Sequence, residues 1–219
     1  MTLQTIKINL AAYQPCMNDP KCSSRVYFWK RWYFENHPAA VLNLLNIENT
    51  DDWLQICTAS VRNRYRHSVK LGYTSSAMSM ADRNERLNDL YEINTSSMER
   101  QGKPMTEFYK TYPGPQTDSK NVCPWHYDQL FGVFSPFGQW VGYINLHLNG
   151  DVASISMLLG HKQFLSATGI MLNLMAPVIT FCKERSIRYI TYHLYDSGTP
   201  GLIYWKKSIG MQPMNVKTM

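Results

Sequence analysis

Residues 138–160 read GQWVGYINLHLNGDVASISMLLG, two runs of β-branched, aromatic and other apolar residues separated by Asn149-Gly150-Asp151. Asn-Gly tolerates the positive φ angles of a tight hairpin turn, so the spacing predicts two antiparallel strands, 138–150 and 151–160. Upstream, LFGVFSP (130–136) predicts a strand that ends in a turn at Ser135-Pro136-Phe137-Gly138. Downstream, Ile170, Leu174, Val178, Phe181 and Cys182 share one helical face and predict a helix over about 168–185. Pro177 lies inside it and should kink it or mark a shifted start. IRYITYHLY (187–195) is a fourth strand, GLIYWKKSIG (201–210) a short amphipathic helix closed by Gly210, and MQPMNVK (211–217) a last strand. The order β-β-β-α-β-α-β predicts an α/β mixed sheet, antiparallel on one side and parallel where the long helix crosses over.

The N-terminal part is less regular. Alternation over 4–12 predicts a strand, and RVYFWKRWYF (25–34) fits a strand or a half-buried helix equally well. Segments 39–47 and 51–57 read as short helices, the second opening on acidic residues. RHSVKLGY (66–73) reads as a strand, 82–100 as a helix capped by Asp82, and 105–111 as a short helix before a Pro/Gly-rich loop.

Several features carry a resemblance. Ile203-Tyr204-Trp205-Lys206-Lys207-Ser208-Ile209-Gly210-Met211 is close to the phrase that ends the GNAT superfamily of N-acetyltransferase-like proteins, and the strand order over 128–217 matches that fold. The helices at 82–100 and 105–111 would then match the family's first two. The resemblance implies a mixed, mostly antiparallel sheet flanked by helices: a transferase domain at 61–219, with residues 1–60 an added N-terminal region packed on it. It also implies a turn and helix N-terminus that hold the diphosphate of acetyl-CoA through backbone amides. The matching stretch is Ser166-Ala167-Thr168-Gly169-Ile170-Met171. Ser166 stands where the family has Gln or Arg, and Met171 where it has a second small residue. The donor implied is acetyl-CoA or another activated acyl or aminoacyl group, with Ser166, Thr168, Gly169 and Ile170 against its anionic part. Fem-like peptidoglycan-bridge transferases and phage Mom-type DNA-modifying proteins are similar departures from acetyl-CoA use. The Gly160-His161 to Gly169-Ile170-Met171 stretch, with Gly201-Leu202 and Trp205-Lys206, resembles phage members.

Candidate chemistry gathers near strand ends. His161, after the third core strand, suits a base or a donor contact, or a capping histidine. Tyr204 lies near where many family members keep a tyrosine that protonates a departing thiolate, with Tyr192 and Tyr195 as competitors. Asp196, after the fourth strand, suits a proton acceptor for an amine, or a turn residue. His126, Tyr127 and Asp128 are placed to line an acceptor pocket, and His147 shares a strand face with Asn145 and Tyr143. Arg62, Arg64 and Arg66, on one face if the segment is a strand, suit phosphates, with Tyr65 and Tyr73 for stacking. A solvated charged face explains them as well. Arg100, Lys103 and Lys30-Arg31 add to the basic side, and Lys206 and Lys207 are expected at solvent or a phosphate.

The formal charge of +6 permits an acidic partner, and 13% aromatic content suits either base stacking or an aromatic core. Hydrophobic residues at 44% exclude a disordered chain. No apolar window of membrane-spanning length appears, and the first residues lack the order of a signal peptide. Five scattered cysteines fit a reducing cytoplasm, that of a host if the gene is a phage's, and no metal site is expected. The expectation is a GNAT-like acyltransferase acting on an amine, with a DNA base preferred as acceptor. A small-molecule or peptide N-acetyltransferase and a non-catalytic binding module are the alternatives.

Overall fold

The computed structural model describes residues 4–8, 37–100, 103–117, 124–165 and 168–218. The segment 25–34, residues 9–12, Ser166 and Cys16, Cys22 and Cys123 lie outside the described residues. An eight-stranded sheet runs through the molecule. Its strands are β1 (Thr5–Ile8), β2 (Ala39–Asn43), β3 (Thr74–Met78), β6 (Asp128–Phe134), β7 (Trp140–Asn149), β8 (Val152–Gly160), β9 (Tyr189–Leu194) and β10 (Gln212–Thr218), and their spatial order is β1-β10-β2-β9-β8-β7-β6-β3. β4 (Glu99–Arg100) and β5 (Lys103–Pro104) form a separate two-stranded ribbon. Within the large sheet the β1/β10 and β8/β9 pairs are parallel and the others antiparallel. The predicted β-β-β-α-β-α-β order is therefore present.

The helices divide between the two faces. In chain order they are α1 (Thr50–Ile56), α2 (Ala59–Lys70), α3 (Met80–Glu85), α4 (Leu87–Thr95), α5 (Glu107–Lys110), α6 (Lys162–Leu165), α7 (Ile170–Asn173), α8 (Met175–Glu184) and α9 (Pro200–Ser208). On one face Phe131, Val133, Ile144, Leu146 and Ile155 pack against α1, α2, α7 and α8. On the other, Leu130, Trp140, Tyr143 and Leu159 pack against Leu90 and Ile93 of α4 and Met105. The period-2 alternation of β6 feeds both cores at once.

Three local expectations fail for identifiable reasons. Residues 39–47 are not a helix: Ala39–Asn43 is a strand between β10 and β9, buried on both faces. A short apolar run covered on both sides lacks the alternation that separates strand from helix. Residues 66–73 are not a strand: 66–70 end α2 and 71–73 turn into β3. Thr58 caps that helix by accepting from Val61 N, and Val61, Tyr65 and Ser68 turn inward at helical spacing. The helix expected at 82–100 is two helices broken at Arg86. Its cap is Ser79, in a reciprocal capping box with Asp82, which holds the Asp82 carboxyl below its ordinary pKa.

Pro177 lies in the first turn of α8, just past the break at Leu174. A proline there leaves the Asn173 carbonyl without its usual helical donor. The Ser75 Oγ of β3 shares its one proton between that carbonyl, at 2.9 Å, and Asn173 Oδ1, at 2.6 Å. Asn173 Nδ2 donates to Ser68 Oγ (3.1 Å) and Tyr73 O (3.2 Å). One buried amide thus joins α2, β3 and α7. Asn173→Ala leaves these buried groups unsatisfied and should lower stability by about 2–3 kcal/mol in urea unfolding, and Ser75→Ala by about 1 kcal/mol.

Candidate functional site

β8 and β9 pair in parallel over three rungs, Val152 with Tyr189, Ala153 with Ile190 and Ser154 with Thr191. At the last rung the two buried hydroxyls, Ser154 Oγ and Thr191 Oγ1, hydrogen-bond at 2.8 Å. The next residues explain why pairing stops. The β7/β8 register steps from Asn145–Met157 to Leu146–Ile155, which makes Ser156 an extra residue in β8. Its hydroxyl donates to Asn145 O (3.0 Å) and accepts from Asn145 Nδ2 (2.9 Å). Such a bulge bends its strand and increases its twist. β8 is buried over Val152–Ile155, opens at Ser156, Met157 and Leu158, and is buried again at Leu159 and Gly160. A gap in the burial of an interior strand marks a cleft where β8 and β9 diverge.

On the α3/α4 face of the same strands lies a cavity of about 510 Å³, within the usual range for small-ligand sites. Met157, the half-buried residue after the bulge, lines it, so the cavity reaches the stretch of β8 that β9 leaves unpaired. Its apolar wall includes Met80, Leu90, Phe108 and Trp140, and its polar groups include Arg83, Asp128 and His147. Asp128 and His147 are directly opposed in the β6/β7 ladder, and the Asp128 carboxylate pairs with His147 Nδ1. A carboxylate accepts, so His147 Nδ1 is the donor of this contact. Arg83 is 7% exposed. Its Nη1 donates to Gly114 O (3.1 Å) and Asn84 Oδ1 (3.0 Å), and no carboxylate among the described residues pairs with it. Beside it, Tyr143 donates to Asn94 Oδ1 at 2.9 Å, and burial pushes its hydroxyl well above the ordinary tyrosine pKa.

The residues expected at the site are scattered. Asp128 lines the cavity, whereas Tyr127, its chain neighbour, points to the opposite face, where its hydroxyl accepts from Arg185 Nε and its ring packs on Phe181. His126 is 0% exposed and presents no surface to an acceptor. His161 Nδ1 accepts from Gln163 N at 3.3 Å, the capping arrangement, and burial holds its pKa below the usual histidine value. Asp196 is exposed in the turn after β9, and Tyr204 is 61% exposed on α9. Lys206, expected at solvent, is 0% exposed. Its ammonium donates to Leu194 O (2.6 Å) and Ser197 O (2.8 Å), tying α9 to the end of β9. Arg62, Arg64 and Arg66 share no strand face, because the segment is helical. Arg62 Nη1 is spent on the carbonyls of Leu54 and Cys57 at the end of α1, and Arg64 and Arg66 are exposed. Arg100 also turns inward, to Gly160 O (3.0 Å) and Ile93 O (2.7 Å). His147 was recognisable only as a strand residue on the Tyr143–Asn145 face, and that face is the cavity wall.

Gly169 opens α7 at φ 70°, and a Cβ there would sit 2.5 Å from the Arg64 carbonyl oxygen. Helix packing therefore accounts for this glycine without a bound diphosphate. Thr168 and Ile170 are buried, and Thr168 Oγ1 donates to Phe164 O, so this segment offers a ligand backbone rather than side chains.

No protein-family model and no curated protein matches the sequence. Solved structures do. FemX superposes with a TM-score of 0.61 at 12% identity, over 82% of this chain and 60% of that one. The C-terminal domain of an Agrobacterium fabrum protein assigned as a lysylphosphatidylglycerol synthetase gives 0.53 at 11% identity, over 80% and 57%. The chain spans about three fifths of the length of each. The fold is GNAT-like, a mixed, largely antiparallel sheet flanked by helices.

Two glycines separate steric need from flexibility. Gly169→Ala meets both a left-handed φ and the Arg64 carbonyl, and should cost about 2 kcal/mol or more in thermal or urea unfolding. Gly201→Ala, on α9 with nothing within 4 Å of its Cβ, should leave stability unchanged or raise it by up to about 0.5 kcal/mol.

Proposed function

We propose that this chain is a transferase that moves an acyl or aminoacyl group from an activated donor onto an amine. The parting of β8 from β9 after the Ser154–Thr191 rung carries this reading. Along a strand alternate N–H groups face each neighbour, so beyond Ser154 some amides of β8 face the cleft instead of a partner strand. Fixed N–H dipoles in such a cleft suit the oxyanion that forms when an amine attacks a carbonyl. The likeness in fold to FemX and to the Agrobacterium domain supports the same class of reaction.

The donor is an activated acyl or aminoacyl group, acetyl-CoA being one member of the class. The packing of Arg64 onto Gly169 favours donors that do not depend on a diphosphate bound at that turn. Thermal unfolding against acetyl-CoA and against an aminoacyl-tRNA, followed by mass spectrometry of an added amine, tests this. A donor at about 100 times its Kd should stabilise the protein by about 2.7 kcal/mol and yield an amide product. No stabilisation and no product with either donor would overturn the reading.

A second reading takes the acceptor as a DNA base, in the manner of phage Mom-type proteins. Arg64, Arg66, His67 and Lys70, exposed on α2, and the net charge of +6 favour it. If α2 meets phosphates, replacing Arg64 or Arg66 by Ala should each reduce the salt slope of DNA binding by about 1. Nucleoside masses unchanged in DNA from cells expressing the protein would remove this reading.

A further inference from the structure

The cavity under α3 and α4 sets opposite charges among apolar and neutral polar side chains. Arg83 is a buried cation that lacks a carboxylate partner among the described residues, and its Nε–Nη2 edge makes no hydrogen bond among them. A buried charge without a counterion is costly, and a bound anion relieves that cost. A guanidinium edge with two donors matches the two oxygens of a carboxylate. The Asp128–His147 pair lines the same cavity and offers a negative charge and an imidazole acceptor to an ammonium or amine. Leu90, Phe108 and Trp140 line the same cavity and provide its apolar part. One guanidinium and one carboxylate together balance a zwitterion, whereas a dianionic phosphate group would exceed the single cation.

We infer that this cavity binds the acceptor, and that the acceptor is a free amino acid with a large apolar side chain: its carboxylate on Arg83, its amino group at Asp128–His147 and its side chain against the Leu90–Phe108–Trp140 wall. The inference rests on the transferase reading for its chemistry and on the cavity alone for its binding. In the transfer step the amino nitrogen forms a bond to the donor carbonyl carbon. The bond from that carbon to the donor's thiol sulfur or ester oxygen breaks, and the leaving group departs with the electron pair. The bound ammonium first gives one proton to His147 Nε2, which passes it to solvent and frees the nitrogen lone pair; the second proton, lost from nitrogen after the bond forms, goes through the same Nε2 to the leaving group. Met157 lies where the cavity reaches the unpaired stretch of β8, so nitrogen and carbonyl come together beside the bulge.

Calorimetric titration of the full chain without any donor tests the binding directly. The probes are L-tryptophan, L-phenylalanine, L-tryptophanamide, which lacks the anion, and N-acetyl-L-tryptophan, which lacks the amine. Tryptophan or phenylalanine should bind, and the amide and the N-acetyl compound should bind about tenfold more weakly or worse. Arg83→Met should reduce tryptophan affinity to that of tryptophanamide, with Arg83→Lys restoring part of it. His147→Gln should keep tryptophan binding within a few-fold and, with a competent donor, lower kcat by about a hundredfold or more, without an equal rise in KM. If Arg83→Met does not fold, the ligand series on the unaltered protein still decides. Equal affinity for tryptophan and its amide, or binding of none of the four, overturns the inference. In that event amide formation on a different amine, seen by mass spectrometry, would leave the transferase reading standing.

Discussion

The hydrogen bond between Ser154 and Thr191 closes the last rung of the one parallel pair at the middle of the sheet. Everything about the candidate site depends on the contrast between that rung and the residue two places on. Before it, β8 is held on both sides and buried. After it, Ser156 adds a residue against β7, the strand bends, and the ladder to β9 is given up. The bulge bends β8 next to the point where its ladder to β9 ends, so one extra residue on one side accompanies the opening on the other.

Around that opening the protein uses buried polar groups in two distinct ways. Lys206 and Asn173 are satisfied within the fold, the first by carbonyls at the end of β9 and the second by partners on α2 and β3. They fix where the helices sit. Arg83 is different: its Nη1 reaches Gly114 and Asn84, no other hydrogen bond of its guanidinium is made among the described residues, and it lines a cavity. The thiols show the inert extreme, since burial pushes Cys57 up to about 12 and raises Cys182 further, which leaves neither as a nucleophile near neutral pH. Distinguishing a polar group that completes the scaffold from one that awaits a ligand rests on counting its partners, and that count separates Lys206 from Arg83.

Two segments early in the chain shape the surroundings of the site. β2 lies inside the sheet between β10 and β9, and α2 lays the Arg64 carbonyl on Gly169. A glycine at the start of a helix can leave room for a bound anion. Here Gly169 leaves room for a helix. A single motif glycine therefore has two physical explanations, and only the neighbouring backbone separates them.

Much of the C-terminal half was legible in the amino-acid sequence. Asn149-Gly150 dictates a tight turn, the apolar run at 130–134 a strand, and Gly210 the end of α9, all through interactions within a few residues. His147 could be placed on the face of Asn145 and Tyr143 for the same reason. What local chemistry left undetermined, the tertiary structure decided. Ala39–Asn43 is a strand because other strands flank it, and 59–70 is a helix whose inward residues meet α7. The cavity face became a wall because α3 and α4 cover it. Asp128 and His147 are 19 positions apart and meet only because the β6/β7 register sets them opposite. Residue types and turns are local properties. Pairing register, burial and the partner of a charge belong to distant segments brought together, and on those the candidate site is built.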